Sequence, residues 1–404
     1  MKRLRWLAAL AAATWVVSVG AVSPGEARQF PEQATFTTLI TTPLVIEGLT
    51  GDDAGNLYTP GRGGNPCPIW RINLASPSLV VVGTIPAPCS PSGLAFNEAG
   101  DLFVADGDKI WRFTPNAAAP PTATVFASGV PGANGVAFDR DGNLWTGDGT
   151  TGVGRVWRIS PTGGVCEPSF TGCTEVFRIP AMANVLNPAV TGGVANVGRD
   201  VRTLPPGTIN AARAATNTAG SQPLVANGLA FTRDGDLFVA DTARGAIWKV
   251  EFDRRGNLRS RTGCDATFTP NTLCLDNVFV AHPILEGADG IALDRAGNIW
   301  VSVNERNAIA VVTRSRRVIE IFRNPVNAAG LRNSADPGVG NDRILEFPTS
   351  PFLSGDRLCT ANSDGNRRDN APSAAGEIGV APNLGKVSCL DQDLEIPGLP
   401  LPVR

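Results

Sequence analysis

Residues 227–250 read NGLAFTRDGDLFVADTARGAIWKV. A short apolar run, Leu229 to Phe231, enters a polar turn that Gly235 and Asp236 close, and a second apolar run starts at Leu237. A third, IWKV, starts at Ile247. Runs this short, separated by Gly-Asp or Gly-Asn, read as antiparallel strands joined by tight turns. The unit recurs as GLAFNEAGDLFVADG from Gly93, GVAFDRDGNLWTGDG from Gly135 and GIALDRAGNIWVSVN from Gly290. A fifth copy, GLTGDDAGNLYTPGR from Gly48, keeps the frame. In each copy a second glycine stands seven positions after the first: Gly55, Gly100, Gly142, Gly235 and Gly297. Third strands follow as IWRI at Ile69, IWRF at Ile110, VWRI at Val156 and IAVV at Ile309, and fourth strands show as VFRI at Val176 and VFVA at Val278. Four antiparallel strands per unit, repeated about an axis, make an all-β propeller.

Five copies are explicit. The stretch from Arg343 to about Leu394, with RLCTA and GEIGVA as strands, reads as a degenerate sixth blade. Six blades at ~45 residues each need about 270 residues, which leaves room for insertions. The strand ATFTTLI, Ala34 to Ile40, is expected to join the last blade and close the ring. The propeller is thus placed at 34–395, with 396–404 as a C-terminal tail. If the inner strand starts at the top, the Gly-turn lies on the bottom, and links between blades lie on top. The long links Pro180–Pro223 and Asn324–Asp342 then sit over one end of the channel, where loops of this length are often lids or binding loops.

Composition agrees with a globular fold of short strands. The chain has 404 residues, 43% hydrophobic and 18% charged, and its 45 Gly and 32 Pro make about 19% of it. Residues 1–27 have a basic tip, an apolar run from Trp6 to about Val19 and small residues after it, the layout of a cleaved signal peptide. Removing Lys2, Arg3, Arg5 and Glu26 leaves 36 acidic and 32 basic residues, so no basic excess points to nucleic acid. A single histidine, His282, excludes a multi-His metal site. All eight cysteines follow the leader, an even number that favours disulfides in an exported, periplasmic or extracellular chain. Spacing alone allows 105 pairings. Sorting the loops by face leaves four local bridges: Cys67–Cys89, Cys166–Cys173, Cys264–Cys274 and Cys359–Cys389.

The residue before each leading glycine stands at the top of an innermost strand. Around the ring these are Glu47, Ser92, Asn134, Asn227 and Asp289, all carrying side-chain oxygen. Two carboxylates and two amides converging on an axis suit a hard divalent cation such as calcium, although polar residues at strand starts also line wet channels. Ser92 reads as a channel-lining hydroxyl. A second column, Asp106, Asp148, Asp241 and Asn304, is expected to cap the top loops by accepting their N–H groups. The column Trp70, Trp111, Trp157 and Trp248 reads as packing between blades.

The frame from Asn227, with ADGIALDRAGNIWVS from Ala288, resembles the senescence-marker-protein/gluconolactonase family of six-bladed propellers, and NHL-repeat proteins share much of it. The resemblance covers about Glu47 to Val312. It implies one divalent cation, typically calcium, held by Glu47, Asn227 and Asp289, with Asn134 toward a substrate or water; Ser92, from its place in the column, is counted with Asn134 as substrate-binding. It further implies a lactonase-type hydrolase in which Asp289 is the base. The chain departs from the family in continuing Glu47 as Gly48-Leu49-Thr50 rather than Gly-Pro. The expectation is an exported, monomeric, metal-dependent hydrolase of a lactone or related cyclic ester, a small-molecule substrate. The alternative is a non-catalytic NHL-like propeller that binds a glycan, peptide or envelope component.

Overall fold

The fold is that of a computed structural model, which describes residues 30–31, 34–115, 117, 119–180, 226–285, 287–323, 344–363 and 385–402. Six antiparallel sheets surround one axis. From the axis outward, blade one runs Thr50–Gly51, Asn56–Pro60, Cys67–Asn73 and Val80–Ile85. The inner strands of the next four blades are Pro91–Phe96, Ala133–Phe138, Ala226–Phe231 and Ala288–Leu293. Blade six runs Pro348–Ser354, Arg357–Asn362 and Gly385–Leu390, and Phe36–Thr42 pairs outside it. The N-terminal strand therefore closes the ring, as expected. GEIGVA lies outside the described residues, and the strand beside Arg357–Asn362 is Gly385–Leu390.

The repeated frame is explained at both ends of the inner hairpin. At the bottom, Asp139 Oδ1 accepts the N–H groups of Asp141 (3.0 Å) and Asn143 (2.9 Å), and its Oδ2 accepts Trp145 Nε1 (2.8 Å). Asp294 repeats this with Ala296, Asn298 and Trp300, and Asp52 with Ala54, Asn56 and the Tyr58 hydroxyl. One aspartate thus closes the turn and satisfies the polar atom of a buried aromatic ring. At the top, the leading glycine is a requirement of packing. A Cβ on Gly93 would meet Asn134 O at 2.4 Å, one on Gly135 would meet Asn227 O at 2.4 Å, and one on Gly228 would meet Asp289 O at 2.6 Å. Neighbouring inner strands touch backbone to backbone at this level.

Between blades, large rings fill the gaps. Trp145 of blade three is 2% exposed and meets Phe231 and Phe252 of blade four edge-on. Burial of a side chain of this size is worth upwards of about 1.5–3 kcal/mol. Of the expected tryptophan column, Trp70, Trp157 and Trp248 are buried and Trp111 is half-buried. The four disulfides form as expected, and Cys359 and Cys389 lie opposite each other in adjacent strands. The loops that Cys166–Cys173 and Cys264–Cys274 close reach back to the preceding blade. Gly164–Val165 pairs in parallel with Ala127 and Ser128, and Thr272 bridges Arg178.

The C-terminal segment crosses the bottom of the propeller. Gly398 bridges Asp294, the Leu399 N–H donates to Leu293 O (2.8 Å), and Leu399 is buried. Leu399, Leu401 and Pro402 close the lower end of an apolar channel lined by Phe96, Phe138, Phe231 and Phe352. Among the described residues no helix is long and apolar enough to cross a membrane. The expected leader and, Pro180 apart, the two expected top links fall outside the described residues.

Candidate functional site

The column before the leading glycines lies at one level around the channel mouth, because each leading glycine packs on the carbonyl of the next column residue. The sixth member is Thr349. A Cβ on Gly290 would meet Thr349 O at 2.4 Å, and the Thr349 hydroxyl donates to Glu47 O. The ring therefore reads Glu47, Ser92, Asn134, Asn227, Asp289 and Thr349. The signal for Thr349 was weak, because Ser350 stands where the other copies have glycine.

These six side chains divide into two kinds. Ser92 and Thr349 turn to backbone carbonyls: Ser92 Oγ has Ala105, Ala133 and Asn134 carbonyls within 3.2–3.3 Å. Ser92 is thus a packing hydroxyl at the rim. The other four interact through their side chains. Asn134 Nδ2 donates to Asn227 Oδ1 (3.2 Å), and Asn227 Nδ2 donates to Thr242 Oγ1 (3.1 Å), which in turn donates to Ala288 O (2.7 Å). This relay fixes the Asn227 amide with its oxygen toward Asn134. Glu47 is ion-paired with Arg62.

Asp289 is strongly perturbed. It is 5% exposed, and burial pushes its carboxyl up to about 7, against the opposing pull of Asn304, Asn227 and the Arg62 charge. Asn304 Nδ2 donates to Asp289 Oδ2 at 2.8 Å. Here the second column departs from its expected role. Asp106 accepts the Ser90 N–H and Trp111 Nε1, Asp148 accepts the Thr151 N–H, and Asp241 accepts the Arg244 N–H and Trp248 Nε1. Those three cap, but Asn304 uses its amide as a donor into the site. The signal was present: in that column only the fifth repeat has Asn, and only an amide can donate. His282 is spent locally, its Nδ1 accepting the Ile284 N–H at 3.1 Å, and burial lowers its pKa.

The donor chemistry suits a hard cation. Among the described residues no three His, Cys, Asp or Glu side chains lie close enough to hold a metal, so an ion here would rely on amide oxygens as well as carboxylates. Asp289 meets the other requirement, since a carboxylate desolvated this far gains most from a neighbouring positive charge.

Comparison with solved structures returns the same architecture. A putative gluconolactonase superposes with a TM-score of 0.52 at 16% identity, over 94% of this chain and 99% of that one. Regucalcin from Agrobacterium tumefaciens, described as a calcium-binding protein, gives 0.51 at 16% identity, over 91% and 95%. A luciferin-regenerating enzyme gives 0.51 at 14%, over 90% and 97%. At these identities the likeness is one of fold. No curated protein matches the sequence. Residues 208–330, which include the fourth and fifth blades, match the SMP-30/Gluconolactonase/LRE-like region, and there the resemblance read from the repeats is met.

Proposed function

We propose that the protein is an exported hydrolase of the gluconolactonase-like type, which opens a lactone or related cyclic ester with one divalent cation, calcium by its ligand chemistry. The observation that carries this reading is Asp289, a wholly buried carboxylate at the channel mouth, held by an amide on one oxygen. A pure scaffold has no use for such a group, because burying a carboxylate away from water is costly. Glu47, Asn227 and Asp289 would hold the ion, with Asn134 bound directly or through water. When bound, the ion would act as a Lewis acid on the ester carbonyl.

The chain supplies the rest. Asn304 holds Asp289 Oδ2, and the Asp289 carboxylate would take a proton from the attacking water. The new C–O bond forms at the carbonyl carbon, the ring C–O bond breaks, and the proton passes from Asp289 to the departing alkoxide oxygen. A general base of this kind typically contributes 10²–10⁴-fold, roughly. The Asn134–Asn227–Thr242 relay fixes two amides toward the substrate, so orientation is set before it arrives. Four disulfides among four local loops support folding in an oxidising compartment.

The test joins elemental analysis of purified protein to a panel of lactones with and without chelator. Ring opening that is lost on chelation and restored by calcium supports the reading. Opening that ignores the chelator removes the cation from it. If no lactone opens, a binding propeller becomes the better description.

A further inference from the structure

Arg62 lies in the top loop of blade one, and nothing in the repeat marks it out. Its N–H donates to Val45 O at 2.8 Å, two residues before Glu47. Its Nη1 donates to Glu47 Oε2, while Nε and Nη2 both donate to Ser90 Oγ at 3.2 and 3.0 Å. Ser90 is itself fixed, because its N–H donates to Asp106 Oδ1 at 2.7 Å. The loop and the link are tied together by Cys67–Cys89, whose second half-cystine adjoins Ser90. A guanidinium is therefore tethered over the mouth of the channel by a disulfide, a capping aspartate and a serine.

The position sets up a conflict. Glu47 is the longer of the two carboxylates in the column, and Arg62 already holds one of its oxygens. A divalent ion bound to the same carboxylate would sit a few ångströms from the guanidinium, in a mouth where the Glu47 side chain is only 16% exposed. Like charges at that range, poorly screened by water, repel strongly. The Arg62 side chain is 34% exposed, so the pair is open enough to part. We propose that Arg62 is a tethered counter-cation that competes with the metal ion for Glu47 and so sets the ion's affinity. This rests on the cation reading given above. Binding then requires the guanidinium to leave Glu47, and the apparent dissociation constant is the intrinsic one divided by the fraction of molecules in which it has left.

The experiment is calorimetric titration of calcium into chelator-stripped full-length protein, wild type beside Arg62→Met. Methionine keeps an unbranched stem and removes the charge without adding a metal ligand as Gln would. The expected result is calcium affinity raised roughly tenfold in Arg62→Met. Arg62→Lys, which keeps the charge, should stay nearer the wild type. Ser90→Ala, which loosens the guanidinium without removing it, should fall between wild type and Met. It also serves should Arg62→Met fail to fold. Calcium binding with unchanged or weaker affinity in Arg62→Met and Ser90→Ala overturns the competition and leaves the cation site standing. Binding by Arg62→Met alone, with none by wild type, is the strongest form of support. No binding by any of the four proteins overturns the cation site and the competition together.

Discussion

The two ends of the inner strands use the same residue types for opposite purposes. At the bottom, Asp52, Asp139 and Asp294 each accept two backbone N–H groups and one aromatic polar hydrogen. At the top, Asp289 accepts a side-chain amide, and burial holds its carboxyl up at about 7. The bottom carboxylates are spent on the local turn, each of them closing it and holding an aromatic side chain. Asp289 has no such turn to serve. The comparison supplies a rule for this fold: a carboxylate with its local backbone donors removed is the one to suspect of chemistry.

The strongest way to break that rule is to neutralise one residue at each end. Asp289→Asn should lower lactone turnover by roughly 10²–10⁴ while leaving an oxygen ligand in place. Asp139→Asn should leave turnover within a small factor of wild type. Rates are compared in proteins whose bound calcium has been quantified. Equal losses at the two ends would sink the distinction.

The second test is pH in metal-free protein. Asp289 has a folded pKa raised from 3.8 to about 7, so the folded state holds the proton more tightly than the unfolded chain. Its stabilising effect is complete below the unfolded value and is lost as pH rises through the folded one. Melting temperature should therefore fall between pH 4 and pH 7 through this group, by the equivalent of on the order of 4 kcal/mol. Asp289→Asn should flatten that part of the profile, and saturating calcium should raise the neutral end by mass action. A wild-type profile that is no steeper than the Asn variant's would contradict the burial of a reluctant carboxylate.

The repeat made the fold legible because each conserved feature of the frame answers a local demand. The leading glycine is needed where a Cβ would strike the next blade's carbonyl, and the turn aspartate is needed by its own following N–H groups. The half-cystines fell into place once strand direction assigned their loops to faces. What stayed hidden depends on contacts between segments far apart in sequence. Thr349 reaches Glu47 across 302 positions, and Arg62 reaches Ser90 across 28. The docking of Leu399 beneath the channel likewise has no local pattern to announce it. Asn304 differs for another reason: it shares the column position of the capping aspartates, but its amide donates where their carboxylates accept.

A third test stays at the bottom. Asp294→Ala removes the acceptor for two N–H groups and for the indole of Trp300, which is 1% exposed. Leaving a buried donor unpaired costs about 1–3 kcal/mol, so denaturant unfolding should show a loss in that range or slightly above. Metal-loaded turnover per folded molecule should not change. A fall in turnover without a fall in stability would mean that the two ends are coupled along the inner strand.

The smallest effect, and the sharpest for the top of the channel, concerns Asn304. Its amide donates to Asp289 Oδ2 and favours the ionised form, opposing the rise that burial causes. Asn304→Leu removes the donor without offering another, so Asp289 should hold its proton to higher pH. The acid limb of the turnover profile would then move toward alkaline pH. With one hydrogen bond of about 1 kcal/mol at stake, the deficit should be about threefold near the midpoint, approach about fivefold well below it and vanish well above it. A cap of the kind made by Asp106 or Asp241 behaves differently. Its loss loosens a loop and lowers stability at every pH, and it leaves the position of the acid limb where it was. A variant with reduced stability and an unmoved limb would return Asn304 to the capping column, and the top of blade five would then be built like the others.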